Sequence, residues 1–181
     1  MSSFAVKLLY PDSQVPTKAH ADDSGWDVYA HTFSEVWSGS PAEYCVVPDA
    51  SGLIPGFTGV DGVLTLNPGE RVVVGCGFAG YAPGRPVLDG VPYRIGFTMV
   101  PRSGNRRRRG IEVHLGTVDY PYRGEFCAIL TNLGGSAVTL SRGDRVAQVV
   151  PVLVPMLELV VADTLDATDR GDSGFGDSGI R

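Results

Sequence analysis

Glycine and proline interrupt this chain so often that few stretches between breaks could hold three turns of helix. They occur 24 and 13 times in 181 residues. Several of the short runs between them alternate apolar with polar side chains, the period of two expected of strands. The pattern predicts an all-β fold, a sandwich or barrel of short strands rather than a helical bundle. Strands are expected at 4–9, 26–30, 63–66, 71–79, 93–100, 125–131, 137–140 and 146–154, with a further short one at 157–161. Loops fill 11–25, 32–62 and 80–92. No segment sustains a helical period, and no internal repeat is present.

The length fits one domain with a core of its own. A net charge of −5 excludes general affinity for nucleic acid, so any polyanion must be held by local basic groups. Cys45, Cys76 and Cys127 are an odd number with no CxxC pair, which argues against a disulfide or zinc framework. His20, His31 and His114 lack ligand spacing. With no N-terminal signal pattern and no apolar run long enough to span a bilayer, the expectation is a cytoplasmic protein with no membrane partner.

Chemistry concentrates at 101–124. Arg102, Ser103 and Gly104 can turn a guanidinium, a hydroxyl and backbone N–H groups toward an anion. Ile111, Val113 and Leu115 then alternate as a strand, Gly116 breaks it, and Thr117 and Val118 start another. The segment is read as a hairpin with Asp119 just past the turn. Tyr120, Pro121, Tyr122 and Gly124 form a stiff bend. Taken alone, Asp119 is a common turn former and Tyr122 a cover for the hairpin. An anion cradle, a hairpin and a lone acid so close together point to a nucleotide site. The run Arg106 to Arg109 reads as a solvated face that could also steer anions.

A resemblance becomes specific over five ordered stretches. They are Asp23-Ser24-Gly25-Trp26-Asp27, Pro101-Arg102-Ser103-Gly104, the run from Gly116 to Gly124, the run from Arg142 to Gln148, and the run from Arg170 to Gly176. Together they resemble the motifs of the homotrimeric dUTPase (deoxyuridine triphosphate nucleotidohydrolase) family. The likeness runs from about the first strand to the C-terminus, apart from much of 32–62. It implies a distorted jelly-roll or β-barrel, a homotrimer with shared active sites, and Mg²⁺-dependent hydrolysis of dUTP to dUMP and pyrophosphate.

Under that resemblance Asp119 is the general base that activates water against the α-phosphate, a role worth about 10²–10⁴-fold. His114, Leu115, Gly116, Thr117 and Val118 form the uracil slot, whose backbone donors and acceptors fit uracil and mismatch cytosine. Tyr122 packs under the deoxyribose and Phe175 stacks on the base. Arg102, Ser103, Gly104, Gln148, Arg170, Gly176 and Ser178 hold the phosphates. Asp27 supports the water shell of Mg²⁺, an ion that a triphosphate brings with it.

Residues 1–162 are accordingly read as the β domain, with 32–62 as an insertion carrying Trp37, Tyr44, Leu53, Ile54 and Phe57. Residues 163–181 are read as a Gly-rich arm that closes over bound ligand. Tyr120 and Pro121 depart from the acidic or small residues common there in the family, and Asp177 places an acid in the phosphate clasp. Two rival readings remain. A dCTP deaminase, alone or bifunctional, would carry an acid deeper in the strand after the hairpin, where only Glu125 is acidic. A non-catalytic regulatory trimer would have no need of Asp119.

Overall fold

A computed structural model describes residues 3–34, 36 and 62–172. The aromatic and apolar residues expected to stud the insertion lie outside these residues, as do Phe175, Gly176, Asp177 and Ser178.

Two long strands form the backbone of the molecule. They are β8 (Val91–Pro101) and β13 (Arg145–Pro155), paired antiparallel from Ala147↔Pro101 to Pro155↔Tyr93. Around them lie β1 (Ala5–Leu8), β2 (Trp26–Tyr29), β3 (Thr32–Phe33), β4 (Val63–Leu66), β5 (Arg71–Gly75), β6 (Phe78–Tyr81) and β7 (Val87–Leu88). A two-turn helix, α1 (Ser103–Arg109), then precedes β9 (Ile111–Val113), β10 (Gly116–Val118), β11 (Cys127–Asn132) and β12 (Val138–Ser141). One sheet runs β10-β8-β13-β2, with β7 also on β8, and a second runs β3-β5-β11-β9. β1 pairs with β6, and β12 with β4. The fold is a jelly-roll-like all-β architecture, as expected.

Burial follows the side-chain pattern. Val72, Val73 and Val74 of β5 are all buried, as suits a strand covered on both faces, whereas β4 and β12 bury alternate residues. Phe78, Phe97 and Phe126 pack edge to face or tilted, with Phe4 and Trp26 against them at centroid distances of 4.5–6.4 Å for the Phe4 contacts. Burying each of these phenylalanines contributes about 1.5–3 kcal/mol.

Several expectations need correction. The strand read at 71–79 is two strands, because Gly77 takes φ +73° between them, a conformation ordinary residues avoid. The region read as a loop from 32 onward begins as β3. Ser34 extends that pairing, its N–H donating to the Val73 carbonyl and its Oγ accepting from the Val73 N–H. The short strand expected at 157–161 is absent, and those residues are exposed. The helix α1 is too short to show a helical period in sequence. It stops at Gly110, φ +69°, where the Gly134 backbone lies 2.6 Å from the place a Cβ would occupy.

The largest correction concerns the hairpin. β9 and β10 do not pair with each other: β9 lies on β11, while β10 lies on β8 in the other sheet. Ile111 and Val113 are drawn into the core beneath β11, so His114 and Leu115 become a crossing between sheets rather than a turn.

Candidate active site

Two groups of predicted residues lie along β8, one just past its C-terminal end and one on β10 beside Phe97, Thr98 and Met99. At the C-terminal end of β8 Pro101 leads into Arg102, which is extended (φ −77°, ψ 130°) immediately before α1. Arg102 meets Asp27, a residue only 3% exposed on β2. Its Nε donates to Oδ1 at 2.8 Å and its Nη2 to Oδ2 at 3.1 Å, while Arg145 Nη1 donates to Oδ2 at 3.2 Å. A fork held this way has lost most of its freedom before any ligand arrives. Gln148 lies opposite both Asp27 and Val100 in the sheet, beside this cluster. Ser103 and Gly104 are exposed on the first turn of α1, with open space around Gly104.

Asn105 anchors that turn. It is buried, and its Nδ2 donates to the carbonyl of Arg145 at 3.0 Å. The sequence reading missed it. An uncharged amide ahead of four arginines was the available signal, since only a side chain able to enter the fold would interrupt a polar face. Arg145 faces the same carboxylate as Arg102.

Asp27 faces these arginines with its whole carboxylate. Both of its oxygens are taken by guanidinium groups, and two positive charges flank its one negative charge. Among the described residues no group of three acid, histidine or cysteine side chains could hold a metal ion.

Farther back along β8, its partner β10 carries Thr117 and Val118 to Asp119. These three form a wall shared by two cavities. One, of about 480 Å³, is bounded further by Arg94, Tyr120, Pro121 and Met156. The other, of about 230 Å³, is bounded by Tyr122, Glu125, Phe126 and Cys127. Asp119 is exposed, and its carbonyl accepts the Tyr122 N–H at 3.0 Å, closing a tight turn. Arg123 staples the bend: its Nη1 donates to the carbonyls of Tyr120 and Tyr122, and its guanidinium stacks over Tyr81 at 4.3 Å.

Tyr122 Oη donates to the Glu125 carbonyl at 3.0 Å. Burial, with Cys127 and Glu125 nearby, raises its pKa, so the phenol keeps its proton. Glu125 is buried and its Oε1 accepts the Gly77 N–H at 2.7 Å, which fastens the bend to the β5–β6 break. The Cys76 and Cys127 thiols are also raised, chiefly by burial, which disfavours a thiolate nucleophile. Leu115 is 75% exposed and Gly116 is open, whereas His114 Nε2 is 2.7 Å from Thr131 Oγ1 and is thus turned toward β11. Arg170 lies in an exposed turn of the C-terminal segment.

One chain does not bring Asp119 and Arg102 together. Val118 pairs with Phe97, and Arg102 follows five residues later along β8, about 17 Å away at ordinary strand rise.

Fold and site together define a jelly-roll β protein with a charged anion cradle and an apolar slot rimmed by a carboxylate. The chain belongs to the dUTPase family. The dUTPase family profile matches residues 90–179. A deoxyuridine 5'-triphosphate nucleotidohydrolase of Caulobacter vibrioides is 35% identical over 171 residues, covering 93% of this chain and 88% of that protein. The enzyme of the same name from Mycolicibacterium gilvum is 33% identical, covering 98% and 96%. Among solved structures, a mutant dUTPase of Staphylococcus bacteriophage 80alpha with dUpNHpp superposes with a TM-score of 0.72 at 18% identity, over 98% of this chain and 99% of that one. A phage phi11 dUTPase, described with a structural Mg(II) ion, superposes at 0.63 with 16% identity, over 90% and 97%.

Proposed function

We propose that this protein hydrolyses dUTP to dUMP and pyrophosphate, with Asp119 as the general base. Its relatives carry that activity in their names. The geometry that carries the residue assignment is an exposed carboxylate on the wall between two cavities, one turn from Tyr122. The carboxylate takes a proton from water as the oxygen forms its bond to the α-phosphorus. The bond from that phosphorus to the bridging oxygen breaks, and pyrophosphate leaves with the electron pair. Tyr122 supports the sugar, and residues 114–118 receive the uracil mainly through backbone groups. Arg102, Ser103, Gly104 and Gln148 bind phosphates, with Asp27 and Arg145 holding Arg102 in its fork. Mg²⁺, arriving with the triphosphate, would neutralise part of its charge.

The sites are shared between subunits of a homotrimer. The separation along β8 supports this, because one nucleotide cannot place its α-phosphate beside both Asp119 and Arg102 of the same chain. The tail supports it too. Leu157, Leu159, Val160, Val161 and Leu165 are 75–91% exposed in the single chain, an apolar surface that another subunit would cover. From residue 163 onward the arm brings Arg170, Phe175, Gly176 and Ser178 over the ligand.

Pyrophosphate release measured across dUTP, dCTP, dTTP and UTP tests the proposal. Turnover confined to dUTP is expected, and equal rates on all four would overturn it. The deaminase reading is disfavoured because Glu125 is buried and its Oε1 is committed to Gly77. Ammonia release from dCTP would restore that reading.

A further inference from the structure

The arginine run remains unexplained by this chemistry. Arg106 pairs with Glu112 at 3.0 Å, and Arg109 reaches the Thr139 carbonyl and, at 4.0 Å, Asp144. Arg107 and Arg108 make no hydrogen bond or ion pair among the described residues. The four line an open cavity of about 600 Å³ whose far wall is Gly134, Gly135 and Ser136. On a protein of net charge −5, this is a built cationic trough.

A complementary segment exists in the same chain. After β13 the strap from Met156 to Asp172 carries Glu158, Asp163, Asp166, Asp169 and Asp172 against one arginine, Arg170. Its leucines and valines are exposed, so its own chain does not cover it. We infer that the trough formed by Arg106–Arg109 receives the acidic strap of a second copy of this chain, fixing the path by which the arm approaches a neighbour's site. The inference rests on the shared-site reading above.

Among the described residues no acid of the strap makes an ion pair with its own α1, whose arginines meet Glu112 and Asp144 instead. The strap leaves the barrel where Met156 N–H bonds the Pro92 carbonyl, at the start of β8, while α1 follows the end of that strand. Those points are about 30 Å apart. Seven residues from Met156 to Asp163 span about 25 Å at full stretch, so Glu158 and Asp163 fall short of their own α1, and only from Asp166 onward is the strap long enough. Charge selects the ligand: isolated surface ion pairs contribute little, but several opposed charges on each side form a network. The exposed apolar residues between the acids favour a folded strap over a free polyphosphate as occupant.

Charge reversal at both faces tests this. R107E/R108E is expected to lower kcat/KM for dUTP about five- to tenfold at low salt and less at high salt. D163K/D166K is expected to lower it similarly, and the combined fourfold exchange to recover most of the loss. Simple steering of an anionic substrate predicts the reverse for D163K/D166K, a gain, and that result would overturn the inference, as would no change. Oxidation of an R108C/D166C chain, with Cys45 replaced by Ser, should give covalently linked chains on a denaturing gel. A linked monomer would assign the trough to the chain's own strap and overturn the second copy, and so would no link at all. The unaltered chain is assayed for dUTP turnover and assembly mass alongside. Failure there sinks the function proposed above, while the cross-link still reports on docking.

Discussion

The two groups of site residues along β8 are built differently. On the phosphate side the key side chains are held before ligand arrives: Arg102 is forked onto a buried carboxylate, and Asn105 ties α1 to β13. On the base side Asp119, Leu115 and Tyr122 stand exposed on a bend whose internal bonds run mostly through backbone and Arg123. Folding completes the first and leaves the second open on one side. Charged groups that grip a polyanion must be preorganised, because mobile arginines would lose entropy on binding. A slot for a flat base needs a wall that a neighbour can close.

That contrast can be broken by mutation. Asp119→Asn should reduce dUTP turnover by about 10²–10⁴-fold while leaving nucleotide binding and thermal stability unchanged, since the side chain holds no other group among the described residues. Calorimetric binding beside pyrophosphate release checks it, and normal turnover would refute the base assignment. Truncation after Asp169 should spare assembly mass yet cost at least about tenfold in turnover, as expected of a lid. An undiminished rate would remove the arm from the mechanism. Asp27→Asn should do the opposite of Asp119→Asn. It leaves two arginines facing a neutral amide and should cost about 2 kcal/mol of stability, below the usual range for a buried pair because Arg102 and Arg145 are 25% and 49% exposed. Equal melting curves for Asp27→Asn and wild type would show that the cradle is not preorganised by this carboxylate.

How much of this was legible in the sequence depended on the range of the forces involved. Strand alternation and Gly/Pro breaks are local, so β4, β8, β12 and β13 were readable to within a few residues. The pairing of β9 with β11 was not, because Ile111 and Val113 look the same whether they face a hairpin partner or a distant sheet. Gly77 hid inside an apolar run, since nothing adjacent to it reveals a positive φ. At the site, Asp119, Tyr122 and Arg102 were legible as motif residues. The carboxylate linking Arg102 with Arg145 was not, as it joins residues 75 and 118 positions away from Asp27. At Asp27 the residue type was legible in the sequence, whereas its two arginine partners were not.

The smallest effect concerns Tyr122 at high pH. Its folded pKa lies above the ordinary 10.0, chiefly through burial, so above pH 10 the unfolded chain gives up this proton first. Stability from this group is fully present below pH 10 and is lost as pH rises through the folded value. The Cys76 and Cys127 thiols are raised from 9.0 in the same direction and start the decline about one unit earlier. Tyr122→Phe removes the phenol and its bond to the Glu125 carbonyl, at a cost of about 0.5 kcal/mol for so exposed a group. Melting temperatures followed from pH 7 to 11 should therefore fall from pH 9 in both proteins. The constant gap between them should narrow only above pH 10. A gap that widened there would mean that Tyr122 is stabilised as phenolate, and that the bend is held by charge rather than by the neutral hydrogen bond.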